Sequence, residues 1–266
     1  MQNGFLTPSQ IQLKKWTRFA DAKYRREYGF FLAEGVKVVE ELFKSDWQIE
    51  AVLVLPEKIS YWEKLIASLK DQSSVYQLTN SEWKKLSQDK EPEGIIAIVK
   101  LKEQPSLSAL IKSSAGNMII LHEINNPGNL GALMRSALWF DFTHIILSVN
   151  SADYTNPKAV RASMGSLFHL TIVSGVDLIA VLPQINKTHY LVGSDVRNGV
   201  PPRPLPKKAA LLLGSESHGL PENLLELVAE RWRITGVSHS DSLSLPQAAA
   251  IMMYEMTKKV KGSRMK

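Results

Sequence analysis

Apolar positions along this chain follow two regimes. From about residue 10 to 100 helical and strand spacings alternate, and beyond residue 105 the apolar residues gather into short continuous runs. In the first regime, residues 31–43 (FLAEGVKVVEELF) read as a helix, with Val36, Val39, Glu40 and Phe43 at helical spacing and Val38 and Leu42 widening the apolar side. Residues 51–55 (AVLVL) read as a buried strand stopped by Pro56, and 94–99 (GIIAIV) as another after the turn signal Glu91-Pro92-Glu93. Residues 101–106 (LKEQPS) are the expected linker, dividing the chain into a smaller α/β domain at 1–104 and a larger domain at 105–266. In the second regime, the runs 118–121, 145–147, 190–192 and 209–213 are apolar throughout. Continuous apolar strands separated by helical segments predict a parallel sheet covered on both faces. Ligands of such sheets collect beyond the carboxyl ends of the strands.

Three loops at those ends carry candidate chemistry. Asn126-Pro127-Gly128-Asn129 is a turn by backbone preference, and a helix follows with Leu130, Leu133, Met134, Ala137 and Leu138 as its core stripe. Arg135 falls on the face of Gly128 and Gly131, and helical side chains lean towards the N-terminus, so its guanidinium is expected to point back at the loop. The second loop, 213–221 (LGSESHGLP), is glycine-rich but lacks the Lys-Ser/Thr of a phosphate-binding loop, and Glu216 would repel phosphate. A neutral or cationic ligand, such as a sulfonium, suits it better. The third, from Ile234 to Ile251, leads small hydroxyl residues into an alanine-rich helix from Gln247 to about Val260, whose small face permits close packing against another helix or a second subunit. Taken singly, each is also an ordinary strand-to-helix connector.

Charge changes the picture at one place. The chain has 32 Lys+Arg against 26 Asp+Glu, a modest excess. Lys14, Lys15, Arg18, Lys23, Arg25 and Arg26 lie close together, with Asp21 the only acid among them, and Trp16, Phe19 and Tyr24 are interleaved. Cations neutralise phosphates and rings stack on bases, so the six cations are candidate RNA contacts; the rings read first as the core side of an amphipathic helix. A second basic cluster, Lys258 to Lys266, ends the chain. There is no cysteine, hence no disulfide or thiolate chemistry, and no apolar run of membrane-spanning length. No secretory signal is evident, and a cytoplasmic protein is expected.

In their order, the three loops resemble the three motifs of the SpoU class of SPOUT methyltransferases, the TrmH-like RNA 2′-O-ribose methyltransferases: Asn126–Asn129 through Arg135, Gly214–Glu216 through Gly219, and Ser242 through Ile251. Residues 160–168 (VRASMGSLF) match a segment that this family carries between the first two, and 31–35 with 93–97 resemble its substrate-binding domain, whose fold is like that of certain ribosomal RNA-binding proteins. The resemblance implies an α/β fold whose parallel-sheet domain ends in a trefoil knot, S-adenosylmethionine as cofactor, a homodimer paired through the first and last helices of that domain, and methylation of RNA, ribosomal RNA ahead of transfer RNA. It assigns cofactor contacts to Gly214, Ile234, Leu243 and the loop at Ser194, and catalytic roles to Asn129, Arg135, Glu216 and Ser242. Two positions depart from the pattern: Ser244 stands where family members usually have asparagine, and Pro246 where they have serine. The departures leave a non-catalytic RNA-binding protein as the alternative, with a base methyltransferase as a second. No G-x-G-x-x-G, G-x-S-x-G or H-E-x-x-H pattern occurs, so nucleotide-fold, hydrolase and zinc readings find no support, and no metal is expected.

Overall fold

The computed structural model describes residues 4–70, 73–87, 89, 91–113, 116–205, 208–237 and 243–258. Residues up to Glu103, together with Asp153–Phe168, form one unit, and Gln104–Ala152 with His169 onwards form a second. The linker reading, with its single cut at 104/105, had kept 153–168 with the second.

In the first unit, α1 (Gln10–Thr17) starts from a reciprocal cap between Ser9 and Gln12. Helix α2 (Ala22–Tyr28) is capped by Asp21 and ends at Gly29, whose φ of +72° only glycine adopts freely. There follow β1 (Phe30–Glu34), α3 (Val36–Phe43), β2 (Ile49–Val54), α4 (Glu63–Lys70), β3 (Ser74–Gln77), α5 (Asn80–Leu86) and β4 (Ile95–Lys100). The sheet order is β1-β4-β2-β3, with β4 antiparallel to both neighbours and β3 parallel to β2. Leu13, Trp16, Phe19 and Trp83 pack on Leu32, Leu53, Ile96 and Ile98 of one sheet face.

The helix expected over 31–43 is a strand and then a helix. Phe31 to Glu34 pair with β4, and Gly35 at φ +109° turns the chain into α3. The Glu93 carboxylate accepts the Val36 N–H at 2.7 Å, replacing the cap that glycine lacks. Four consecutive buried residues before a helical stripe carry no period of their own, so spacing extended the helix backwards.

The second unit contains α6 (Leu107–Ser113), β5 (Met118–Leu121), α7 (Pro127–Trp139), β6 (His144–Ser148), β7 (Thr171–Val176), α9 (Leu178–Ile185), β8 (Tyr190–Ser194), β9 (Ala209–Leu213), α10 (Glu222–Leu225), β10 (Glu230–Trp232) and α11 (Leu245–Thr257); α8 (Pro157–Ala162) belongs to the first unit. Its six strands are parallel throughout in the order β10-β8-β9-β5-β6-β7. The four apolar runs became the four strands β5, β6, β8 and β9. Strands β7, interrupted by Ser174 and Gly175, and β10, three residues of mostly polar sequence, were not expected.

The segment 153–168 joins the first unit through contacts that sequence spacing cannot announce. The Arg161 guanidinium lies 2.7 Å from Asp89 and 3.7 Å from Glu34. The Phe168 ring packs on Phe31 and Trp47 at 6.4 and 5.7 Å between centroids. Arg25 is the anchor. It is only 1% exposed; its guanidinium donates to Asp153 at 2.6 Å, to the Thr155 hydroxyl at 3.1 Å, and to the carbonyls of Phe19 and Ala20 at 3.0 and 2.9 Å. This corrects its assignment as an RNA contact: all three guanidinium nitrogens donate inside the protein, and a buried guanidinium is retained only when so paired.

Candidate active site

Strands β10, β8, β9 and β5 are neighbours that run the same way, so their carboxyl ends open on one edge of the sheet. The register sets Ser194 level with Trp232, Gly193 with Leu212, and Leu213 with Leu121. Three of the expected cofactor positions are therefore brought together: Ser194 closes β8, Gly214 follows β9, and Ile234 stands just beyond β10.

The loop after β9 is folded back on itself. The Gly219 N–H donates to the Ser215 carbonyl at 2.9 Å, and Gly219 has φ +67°. A Cβ on Gly214 would run into the backbone of Gly219 and Leu220. Gly214 is thus needed for close backbone approach, and Gly219 for its left-handed φ.

At the end of β5 the chain enters α7 through Asn126, whose side chain accepts from the N–H groups of Gly128 and Asn129 at 2.8 and 3.3 Å, with Pro127 in the first turn. Asn129 then donates its amide NH2 to the Glu216 carboxylate at 2.7 Å, linking the first loop to the second. That bond fixes the amide's direction, leaving Oδ1 free to accept a proton donor. Arg135 is exposed on α7, and no carboxylate pairs with it among the described residues. The expected core stripe of α7 is buried at Leu130, Leu133, Met134 and Ala137.

Of the third loop, Ser242 lies outside the described residues. Leu243 is 46% exposed, and Ser244 caps α11 without a side-chain bond to the helix. Pro246 sits in the first turn, where its missing N–H costs nothing. Ala249 is buried where α11 packs against α7.

Sequence reading did not find two further groups. Arg231 of β10 bonds Glu222 at 2.5 Å and approaches Asp195 at 3.6 Å, tying together the loops after β8 and β9. Glu123 adopts φ +52°, with its N–H given to the Ser148 hydroxyl at 2.8 Å. Both depend on which strands lie side by side, so no local signal marks them. Beside Glu123, burial holds His122 below the usual imidazole range, against the opposing pull of the Glu123 carboxylate, so His122 is neutral near pH 7.

The donor set suits S-adenosylmethionine. Strand-end backbone supplies neutral polar groups, Arg231 offsets Asp195 and Glu222, and the Glu216 carboxylate faces the first loop. Such a pocket accommodates a sulfonium better than a phosphate. No group of three His, Asp or Glu residues able to hold a metal occurs among the described residues.

Of the six basic residues near the N-terminus, Lys14, Lys15, Lys23 and Arg26 are exposed and Arg18 is half-buried. Trp16 and Phe19 are core, as their spacing suggested, whereas Tyr24 stays half-exposed.

Comparison with known proteins agrees with this geometry. The family model described as the SpoU rRNA Methylase family matches residues 116–254, and that of the MRM3-like substrate binding domain matches 10–97. The chain is 26% identical to the 23S rRNA (guanosine(2553)-2′-O)-methyltransferase RlmP of Bacillus subtilis, over 92% of this chain and 95% of that protein. An AdoMet-bound rRNA methyltransferase from Sinorhizobium meliloti superposes with a TM-score of 0.79 at 25% identity, covering 94% of this chain and 95% of that one. The AdoMet complex of the SpoU methyltransferase AviRb from Streptomyces viridochromogenes shares the fold, with a TM-score of 0.82 at 23% identity over 93% and 97% of the two chains. With its first and second loops joined through Asn129 and Glu216 at the end of a parallel sheet, and more than half its length matched by one family model, this chain belongs to the SpoU rRNA methylase family.

Proposed function

We propose that the protein transfers the methyl group of S-adenosylmethionine to a ribose 2′-hydroxyl of RNA, ribosomal RNA ahead of transfer RNA, and that it does so in the cytoplasm as a homodimer. The bond between Asn129 and Glu216, with Arg135 exposed on the helix that follows and paired with no carboxylate among the described residues, carries this reading. Ribosomal RNA is favoured because RlmP, similar along nearly its whole length, acts on 23S rRNA.

When bound, the cofactor supplies a methyl group already activated on a sulfonium. The chain's own task is then alignment and charge control. Gly214, Ser194, Ile234 and Leu243 would hold the cofactor mainly through backbone groups. The Asn129 Oδ1 receives the ribose hydroxyl. Arg135 grips the neighbouring phosphate and stabilises the negative charge on the 2′-oxygen as its proton departs to water. A guanidinium stays protonated, so Arg135 is not the base. S-adenosylmethionine held there would supply its methyl carbon to the 2′-oxygen and would leave as the neutral thioether. Ser242 is assigned to the same reaction centre.

The knot belongs to this proposal. Segment 195–205 is bonded to β10, where Val200 donates to the Arg231 carbonyl at 2.9 Å, and to α11, where Leu205 donates to the Met256 carbonyl at 3.1 Å. The chain after β9 passing through that segment gives the threaded arrangement, a rare exception to ordinary connectivity. The domain division at 104/105 is likewise proposed for the linear sequence, with 153–168 serving the substrate-binding part.

The test is to map alkali-resistant ribose positions in RNA from cells with and without the gene. One ribosomal position is expected to lose its resistance. In single-turnover assays Arg135→Ala should slow transfer by about 100-fold, the range found when a transition-state donor is removed. An unchanged rate sinks the role of Arg135. If titration calorimetry with S-adenosylmethionine shows no heat, the protein is an RNA binder that keeps the fold.

A further inference from the structure

We infer that Tyr24 and Tyr28 form a stacking platform for an unpaired base of the RNA, which makes single-stranded or looped RNA, not a continuous duplex, the class recognised by the first unit. The inference rests on the proposed RNA substrate and adds to it the form that the RNA takes.

The two tyrosines lie one helical turn apart on α2, with ring planes 17° from parallel and centroids 6.1 Å apart, and both are half-exposed. They are braced from beneath. The buried Phe19 ring meets Tyr28 edge-on at 6.2 Å and stacks on Phe30 at the same distance. Arg25, next in sequence to Tyr24 and therefore on another face of α2, is locked by its bonds to Asp153, Thr155, Phe19 and Ala20. The helix cannot roll, and the rings are held ready before any ligand arrives, which lowers the ordering cost of binding.

Cations converge on the same rings. Arg18 lies 5.0 Å and Lys23 5.7 Å from the centre of Tyr24, and Lys15 lies 5.4 Å from Tyr28. Among the described residues, no carboxylate pairs with Lys14, Lys15, Arg18, Lys23 or Arg26. The nearby Asp21 is already occupied in capping α2, where it accepts the Lys23 N–H at 2.8 Å. Exposed cation–π contacts are weaker than base–aromatic stacking, so a base displaces Lys23 from the ring face, and the freed ammonium turns to the adjoining phosphate. Duplex RNA keeps its bases stacked inside the helix and offers this surface only phosphates and ribose edges.

The test uses the full-length protein and two probes, a mixed-sequence single strand of about 12 nucleotides and a duplex of the same length. Fluorescence anisotropy is read across a salt series. Wild type should prefer the single strand. Tyr24→Ala should weaken it about tenfold, as loss of one stacked base does, and leave the duplex within about twofold. Tyr24→Trp should retain single-strand affinity. Lys14→Gln with Lys15→Gln should weaken both probes and flatten the salt dependence. If Tyr24→Ala, with an unchanged melting temperature, binds the single strand like wild type, or if wild type prefers the duplex, the platform is overturned while the RNA reading stands. If wild type binds neither probe, the RNA reading falls and takes the platform with it.

Discussion

The residue that changes its meaning most between sequence and structure is Arg25. In sequence it is one cation of a basic run; in the fold it is the buried partner of Asp153, 128 positions away. Burial alone would push the Asp153 carboxyl up, but the Thr155 hydroxyl and the Arg25 guanidinium outweigh it and leave it below its ordinary value. A depressed carboxyl contributes stability that is complete above its unfolded value near about 3.9 and is lost as pH falls through the folded value. Asp153→Asn should therefore unfold at lower urea concentration than wild type at neutral pH, and the gap should close towards pH ~3. Arg25→Ala should cost about 3–5 kcal/mol, the loss seen when a buried pair is broken from one side. Equal urea midpoints for wild type and either variant at neutral pH would show that the pair does not hold the segment.

At the scale of elements, the loop after β9 shows what glycine does at a strand end. Gly214 admits no Cβ because the returning backbone of Gly219 and Leu220 fills the space. Gly214→Ala must open that loop, and overpacking against backbone costs about 1–3 kcal/mol. Cofactor affinity should fall by about tenfold while the rest of the sheet stays folded. Titration calorimetry with S-adenosylmethionine, alongside a far-ultraviolet spectrum, checks both halves, and unaltered affinity would detach the loop from cofactor binding. The same scale shows where pattern reading works. Ala209 to Leu213 is buried at every position and was legible as a strand for that reason. Phe31 to Glu34 was merged into a helix because four residues before a glycine offer too little periodicity. Pro246 fits a first helical turn, so the departure in the third loop leaves α11 intact.

Considered as a whole molecule, the chain leaves a conspicuous apolar surface where α7 and α11 meet. Trp139 is 83% exposed, Tyr254 50% and Ile251 41%, and the Tyr254 ring lies against Phe140 at 6.3 Å between centroids. Large exposed rings grouped on two packed helices mark a surface that another copy covers in the proposed homodimer. Trp139→Glu should shift the mass measured by light scattering from dimer to monomer. A wild type that is already monomeric at micromolar concentration would remove the proposal.

Sequence by itself determined four of the six parallel strands, the three loops and the family they signal, because continuous burial and turn chemistry are local properties written in neighbouring residues. Only the tertiary structure decided that Asn129 meets Glu216, that Arg231 bridges Asp195 and Glu222, and that residues 153–168 leave the larger unit to pack against β1. Each of these is a partnership of charges, hydrogen bonds or rings, and such partnerships are chosen by the way the chain closes in space, not by any spacing along it.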